Sequence, residues 1–367
     1  MLEHLRFPVA ASRGRRYPEP EHPYRTAFQR DRDRIVHSRA FRRLEHKTQV
    51  FAPALSDHFR NRLTHTIEVA QIARTVANVL GLDEDLTEAL ALVHDAGHPP
   101  FAHAGEDALN RMMQRYGERF DHNIQSLRAV DSLEHRYPRF PGLNLTFEVR
   151  EGIVKHSRDY APGESAKVDR YLPELKPPIE AQLIDLADEI AYNSADLDDA
   201  YEAGILTVDQ IAAGVPAYAE ILETVETQFP GASGRERFQE SVRQLIDGLV
   251  SGLIEGTADA ARSANLRTVD DVRHNPERVA RFLPAAGEAS AILKKFLYAN
   301  VYSSEALEHD RQDSVARLTR MFEYFMEHPE EVPGGEDSKR PPHRAVCDYI
   351  AGMTDRYFFQ VYQRLFE

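Results

Sequence analysis

Residues 61–95 leave this chain few choices of fold. NRLTHTIEVAQIARTVANVL, residues 61–80, places Leu63, Ile67, Ala70, Ala73 and Ala77 on one helical face, which Val69, Ile72, Val76 and Leu80 widen. Gly81 supplies a stop in the left-handed region. A second apolar pattern runs from Asp83 to Asp95, acidic at its start as the helix macrodipole favours, and ends at Gly97-His98-Pro99-Pro100. Two wide apolar faces in succession need other helices to cover them. Helical periodicity over roughly 122–136, 146–157, 178–201, 216–228, 236–263, 284–300, 304–327 and 343–365 provides them. No alternation of apolar and polar residues is long enough to predict a sheet. The fold class is all-α.

Three stretches interrupt the helices. Residues 8–24 are rich in Pro and Arg and predict an extended arm. Residues 158–178 form a long loop, which inside a compact domain is mobile or functional. Residues 331–342, EVPGGEDSKRPP, predict a surface loop. With no internal repeat and no clear linker, the expected plan is a basic arm over 1–25 and a single helical domain over 26–367. At 367 residues the chain is long enough for one large core. No apolar run approaches the ~18–20 residues needed to cross a bilayer, and the N-terminus lacks the order of a signal peptide. A lone cysteine, Cys347, excludes an internal disulfide framework and fits a reducing compartment. A cytoplasmic protein without a membrane partner is expected.

Charge is unevenly spread. The net −14 argues against a general nucleic-acid coat. Residues 1–50, however, hold 12 Lys/Arg against 6 Asp/Glu, a balance of +6 that leaves −20 for the remainder. A basic arm on an acidic body suits a phosphate-bearing partner, either a small anion or a single nucleic-acid strand; it equally suits an acidic neighbouring subunit.

ALVHDAGHPPFAHAGED, residues 91–107, ends a buried helix in groups that titrate or bind metal. Adjacent helical residues point about 100° apart, so His94 and Asp95 converge only where the helix unwinds, as it should at Gly97 to Pro100. An imidazole beside a hard carboxylate suits a divalent ion. The pair by itself suits Mn, Fe, Zn, Co or Ni and Mg alone less well; for the cofactor, Mg or Mn is expected first, with Fe, Co, Ni or Zn as alternatives. His65 sits mid-helix among apolar neighbours, where an imidazole is costly unless partnered. Asp188 lies within PIEAQLIDLADEIAYNSADLDDAY on a polar line of Asp185, Asp188, Tyr192, Asp196 and Asp199. Almost no lysine or arginine balances that acidity locally. His65, His94, Asp95 and Asp188 together make two imidazoles and two carboxylates, a set that leaves positions open for water and substrate. No GxxxxGK[ST] loop and no CxxC pair is present, which excludes a P-loop and a zinc ribbon.

Four motifs in order, NRLTHTIEVAQIAR, LVHDAGHPPFAHAGE, DHNIQS and DLADEIAYNSADLDDA, resemble the deoxynucleoside triphosphate triphosphohydrolases of the HD superfamily, the bacterial dGTPase-like proteins. HSRAFRRLEHKTQVF, GLNLTFEVREGI and KHS lie between them, and the likeness runs from about residue 24 to 200, resuming weakly near the C-terminus. The resemblance implies an HD-domain helical fold, with a catalytic core over about 30–205 and a helical extension over 206–367. It implies hydrolysis of a dNTP to deoxynucleoside and tripolyphosphate, the four metal ligands above, and a homo-oligomer, hexamer or tetramer. His103 and Glu106 match the family's catalytic histidine and the carboxylate that orients it, and His98 and His122 match histidines lining the phosphate channel. Arg62 matches an arginine whose fork grips phosphoryl oxygens. Tyr192 resembles a tyrosine that contacts phosphate or sugar; Asp196, one turn on, is counted with it. Lys155 is a candidate for the triphosphate tail, and Arg43, Leu44 and Gln49 fall where the family builds its sugar and base pocket. His103 either activates water or protonates the leaving O5′. The chain length favours several dNTPs over dGTP alone, and some members need one dNTP to activate hydrolysis of another. An HD phosphodiesterase or nuclease acting on oligonucleotides, and a nucleotide-sensing or nucleic-acid-binding protein, are the rival readings.

Overall fold

The computed structural model describes residues 1–50, 59–303, 305–333 and 340–367, the side chains of 305–308 excepted. The described residues form α1 (Ala27–Val36), α2 (Arg39–Arg43), α3 (Arg62–Leu80), α4 (Glu84–Val93), α5 (Ala102–Gln114), α6 (His122–Arg128), α7 (Phe147–Val154), α8 (Ala166–Asp169) and α9 (Ile179–Glu202). They continue with α10 (Val208–Gly214), α11 (Pro216–Gln228), α12 (Gly234–Ser263), α13 (Val269–His274), α14 (Pro284–Leu297), α15 (Glu305–Glu327), α16 (Pro342–Ala351) and α17 (Asp355–Phe366). Among the described residues there is no strand, only two isolated bridges, so the all-α expectation holds. No helix of the described residues is long and apolar enough to cross a membrane.

The chain divides into two compact units, each built from three stretches: Met1–Ser12, Ile67–Ala91 and Lys155–Ser304 in the first, Arg13–Thr66, Leu92–Val154 and Glu305–Glu367 in the second. The boundary expected near 205 falls inside the first unit.

In the first unit α12 packs on α9, α11 and α14. Leu183, Ile190 and Leu197 of α9, Leu245, Leu249 and Leu253 of α12, and Leu293 and Leu297 of α14 are buried. Ser233 and Glu236 form a reciprocal capping box that fixes the start of α12. The N-terminal residues are not a loose extension: Leu2, Leu5 and Phe7 are buried, and the Leu2 amide donates to the Leu80 carbonyl at 2.6 Å. Asp83, just before α4, caps it by accepting from the Leu86 amide at 2.9 Å. The loop over 158–178 is tied down. Val168 and Tyr171 are buried, and the Lys155 ammonium donates to the carbonyls of Leu172 (2.8 Å) and Leu175 (2.6 Å).

In the second unit α5, α15, α16 and α17 enclose a core that includes Met113, Phe322, Phe325, Val346, Ile350 and Phe358. The single helix expected over 343–365 is two helices, α16 and α17. Thr354 accepts from the Tyr357 amide at 3.1 Å, an N-cap that starts a new helix in place of a continued one. Of the loop expected at 331–342, residues 334–339 lie outside the described residues. Helices α1 and α2 have too few apolar positions to announce themselves; charge pairing holds α1, and the Ala40 amide of α2 donates to Glu134 at 2.7 Å. Asp31 accepts from Arg15 (2.5 Å) and from the Thr146 amide (2.8 Å), while Arg34 and Glu19 pair at 2.8 Å. Arg25 pairs with Asp33 at 2.5 Å, and Arg13 lies 4.5 Å over the Phe147 ring. Arg13, Arg15 and Arg25 of the expected arm are thus each engaged within the fold.

Glu180, at the start of α9, accepts the amides of Phe7 (2.9 Å) and Asp83 (3.1 Å). Burial dominates, and pushes its carboxyl from 4.5 up to about 7 despite those hydrogen bonds. The folded state therefore holds this proton more tightly than the unfolded chain. The stability it contributes is complete below about 4.5 and is lost as pH rises through about 7, about 3 kcal/mol across the window. Glu180→Gln keeps an acceptor and removes the titration. Urea unfolding at pH 5 and pH 8 should show the variant gaining on wild type by roughly that amount at the higher pH; an unchanged difference would refute the assignment.

Candidate functional site

The contacts around the turn that follows α4 lie within the second unit. Helix α4 ends at Val93, and the chain turns over residues 94–101 with its side chains almost wholly buried. Gly97 is required here. A Cβ would stand 2.1 Å from the Ser126 nitrogen, so only glycine lets α6 come this close. The Ser126 hydroxyl accepts from the Gly97 amide at 2.7 Å and donates to the His94 carbonyl at 3.1 Å. This is the unwinding that the Gly-His-Pro-Pro sequence predicted.

The turn brings three of the four expected metal ligands together. His65, His94 and Asp95 are buried, and each offers a ligand atom within 4.8 Å of the others. The His65 and His94 rings meet edge-on at 5.8 Å. Asp95 is surrounded by cations and imidazoles: Arg62 at 2.5 Å on one oxygen, His98 at 3.1 Å and His94 at 3.4 Å on the other. Burial alone would raise its carboxyl, but His94, Arg62 and His98 outweigh that and hold it well below the carboxylate range. Two imidazoles and an ionised carboxylate suit a borderline divalent ion.

A second group sits on α5 and α6. The His98 and His122 rings stack at 4.0 Å. Burial, with Arg62 and His122 nearby, holds His98 far below its ordinary value, so it is a neutral imidazole. Its Nε2 faces Asp95, and its buried Nδ1 has no hydrogen-bond partner among the described residues. Glu106 was expected to orient His103. In this structure its nearest imidazole is His122: Nδ1 lies 2.9 and 3.0 Å from the two carboxylate oxygens, and the His122 amide donates at 2.9 Å. His103 stands 3.8 Å from Glu106 with its side chain 84% exposed. The reason is local. Asp121 caps α6 and sets His122 at its first position, facing the carboxylate. Burial would raise Glu106, but His103 and His122 together hold it low; burial would lower His122, but Glu106 raises it.

Phe101 and Ala102, which lead into α5, have φ of 65° and 51°. Left-handed backbone at residues with a Cβ costs about 1–2 kcal/mol each. Such strain persists only where surroundings over-determine it.

Asp188 belongs to the first unit, on α9, with its Oδ2 3.9 Å from His156 Nε2. His156 Nδ1 is 2.6 Å from Asp185, which Arg278 also grips while reaching Asp159 at 3.0 Å. Lys294 pairs with Glu189 at 3.2 Å and lies 5.6 Å from the Tyr192 ring centre. Burial pushes the Tyr192 phenol up to about 12. Asp196 accepts from the Tyr302 hydroxyl. The acidity of α9 is thus balanced, by cations supplied from residues 278 and 294. Lys155, expected at the triphosphate tail, is engaged with loop carbonyls instead. Arg43 is half-buried on α2, its Nε without a hydrogen-bond partner among the described residues; Leu44 is fully buried and Gln49 half-buried. Sequence reasoning passed over His156, Lys47, Ser126 and Tyr302. The KHS and LEHKTQV motifs contained the first two without marking them.

Two family models match the chain: the HD domain over residues 62–193 and the phosphohydrolase-associated domain over residues 280–364. Curated relatives match nearly end to end. A deoxyguanosinetriphosphate triphosphohydrolase-like protein of Geobacter sulfurreducens is 46% identical over 97% of this chain and 92% of its own length. Proteins of the same description from Ralstonia nicotianae and Bordetella pertussis are 48% and 45% identical, covering 98% and 97% of this chain and 92% and 94% of their own.

The carboxylate beside His122 makes a direct prediction. In Glu106→Gln the burial that lowers His122 remains and the largest charge that raises it is gone, with only Asp95 and Asp121 left to oppose burial. Imidazole NMR should find His122 titrating above its ordinary value in the wild type and lower in the variant, both free of metal. An unmoved titration would contradict the pairing.

Proposed function

Because the chain belongs to the deoxyguanosinetriphosphate triphosphohydrolase-like family of HD-domain phosphohydrolases, we propose that it cleaves deoxynucleoside triphosphates to deoxynucleoside and tripolyphosphate. The observation that carries the reading is the pair of groups on either side of the turn at Gly97. His65, His94 and Asp95 are gathered on one side, and His98, His103, Glu106 and His122 on the other. Asp188 is the fourth metal ligand in this reading, on the strength of its motif. These ligands would hold a divalent ion, Mg or Mn first, which when bound would polarise a phosphoryl oxygen as a Lewis acid.

The chain's own residues then have distinct tasks. Arg62 holds Asp95 ionised and offers the rest of its fork to phosphoryl oxygen. His98 donates its Nε2–H to Asp95, which steadies that ligand, and on the strength of its motif it lines the phosphate channel. His122 and Glu106 form a hydrogen-bonded pair able to hold a proton. His103, at the exposed edge, reaches the attacking water or the leaving O5′ and exchanges a proton with it. In-line displacement at phosphorus asks chiefly for such positioning and charge. Tyr192 and Asp196 remain candidates for sugar contacts; Arg43, Leu44 and Gln49 remain candidates for the base. Several dNTPs as substrates, a dNTP effector, a homo-oligomer and a cytoplasmic location complete the proposal.

The test is a panel of each dNTP alone and in pairs, with Mg or Mn, scored for products. Tripolyphosphate and deoxynucleoside are expected; dNMP with pyrophosphate, or cleavage of oligonucleotides alone, would overturn the reading. His103→Ala should keep its metal and lose ~10²–10⁴-fold in turnover. His94→Ala and Asp188→Ala should lose metal by elemental analysis of the purified protein. Full metal content in either would remove that residue from the ligand set.

A further inference from the structure

Resting on that function, we infer that Asp355 and Lys47 are positioning residues that hold the turn from His98 to His103 in its reactive shape. The start of α17 is on this account part of the catalytic apparatus. The turn has few polar handles of its own. Pro99 and Pro100 lack an N–H, so between His98 and Ala102 the only backbone donor is Phe101. That amide donates to Asp355 Oδ1 at 3.1 Å. The other oxygen, Oδ2, accepts the Thr48 amide at 2.8 Å. One buried carboxylate therefore joins the strained residue of the turn to the residue after Lys47.

Lys47 holds the other end of the turn. Its ammonium, fully buried, donates to the His98 carbonyl and to the Ala351 carbonyl at 3.1 Å. A buried ammonium satisfied by carbonyls is a costly arrangement that orders whatever it touches. The Phe101 ring packs edge-on to Phe358 at 4.8 Å and Phe359 at 5.4 Å, so apolar contact pins the same residue that the carboxylate holds. Gly105 seals the far side, where a Cβ would stand 1.8 Å from the Pro100 carbonyl oxygen. The Asp355 carboxylate and the rings of Phe358 and Phe359 hold Phe101 in its left-handed backbone. His98 and His103 flank this clamp.

The experiment uses full-length Asp355→Asn and Lys47→Met, with Phe322→Leu as a core variant of the same unit. Hydrogen exchange of the peptide spanning 97–105 should quicken by about 10-fold or more in the two clamp variants, with the peptides of α11 and α12 unchanged. Metal content should equal that of wild type. With dNTP, kcat should fall on the order of 10–100-fold while KM stays within about threefold. Phe322→Leu should lower the unfolding midpoint without changing kcat or turn exchange. Unchanged exchange at 97–105 would overturn the inference. So would quickening throughout the unit, or an equal loss of kcat in Phe322→Leu. An inactive wild type whose turn still loosens in Asp355→Asn would sink the triphosphohydrolase reading and leave the clamp standing.

Discussion

The buried ion pair between Arg62 and Asp95 is the constraint around which the site is arranged. A carboxylate in that position, with its whole side chain out of water, would protonate if it stood alone. Arg62 at 2.5 Å, with His94 and His98 on the opposite oxygen, keeps it charged. Such a pair stabilises little once the desolvation of both ions is counted. Its effect is positional: the first turn of α3 and the turn after α4 must meet at this point. The amide of Arg62 is itself tied to the Lys47 carbonyl at 3.0 Å, so the ion pair, the buried ammonium and the turn form one connected set.

Carboxylates do a second job throughout the molecule. A helical protein has no sheet ladder to join distant segments through backbone hydrogen bonds, and here acidic side chains replace it. Asp31 takes the amide of Thr146, Glu134 the amide of Ala40, Glu180 those of Phe7 and Asp83, and Asp355 those of Thr48 and Phe101. Each receives donors that helix ends or turns would otherwise leave unsatisfied. The acidity that looks in composition like solubility is partly internal architecture.

That distinction marks what could be read in advance. Helices α3, α9, α11 and α12 were legible because each carries a wide apolar face over many turns. Helices α1 and α2 were not, because α1 is held by ion pairs with Arg15, Glu19 and Arg25 and by hydrogen bonds to residues 143–146, and α2 by the bond of its Ala40 amide to Glu134. The break at Gly352 escaped notice because the apolar period of α16 resumes almost in phase in α17. The metal-type cluster was legible at His94 and Asp95, where a helix had to unwind. Lys47 was not, since a lysine in a basic N-terminal region resembles any solvated one. The partners of α9 were invisible to local inspection for the same reason: Arg278 and Lys294 come from about ninety positions later or more. The pairing of Glu106 with His122 depended on how α6 is capped, which spacing alone does not determine.

The interleaving of the two units has a consequence for how the protein is made. The core of the second unit joins α5 to α15, α16 and α17, and its turn at residues 98–102 is closed by residues 351–359. A chain emerging from the ribosome exposes His65, His94 and Asp95 long before the segment that finishes their unit has been synthesised. Domain-by-domain folding from the N-terminus cannot complete it. Contacts of such long sequence separation form late and slowly. Imidazoles and carboxylates competent for metal are thus made long before residues 351–359, which close the turn beside them.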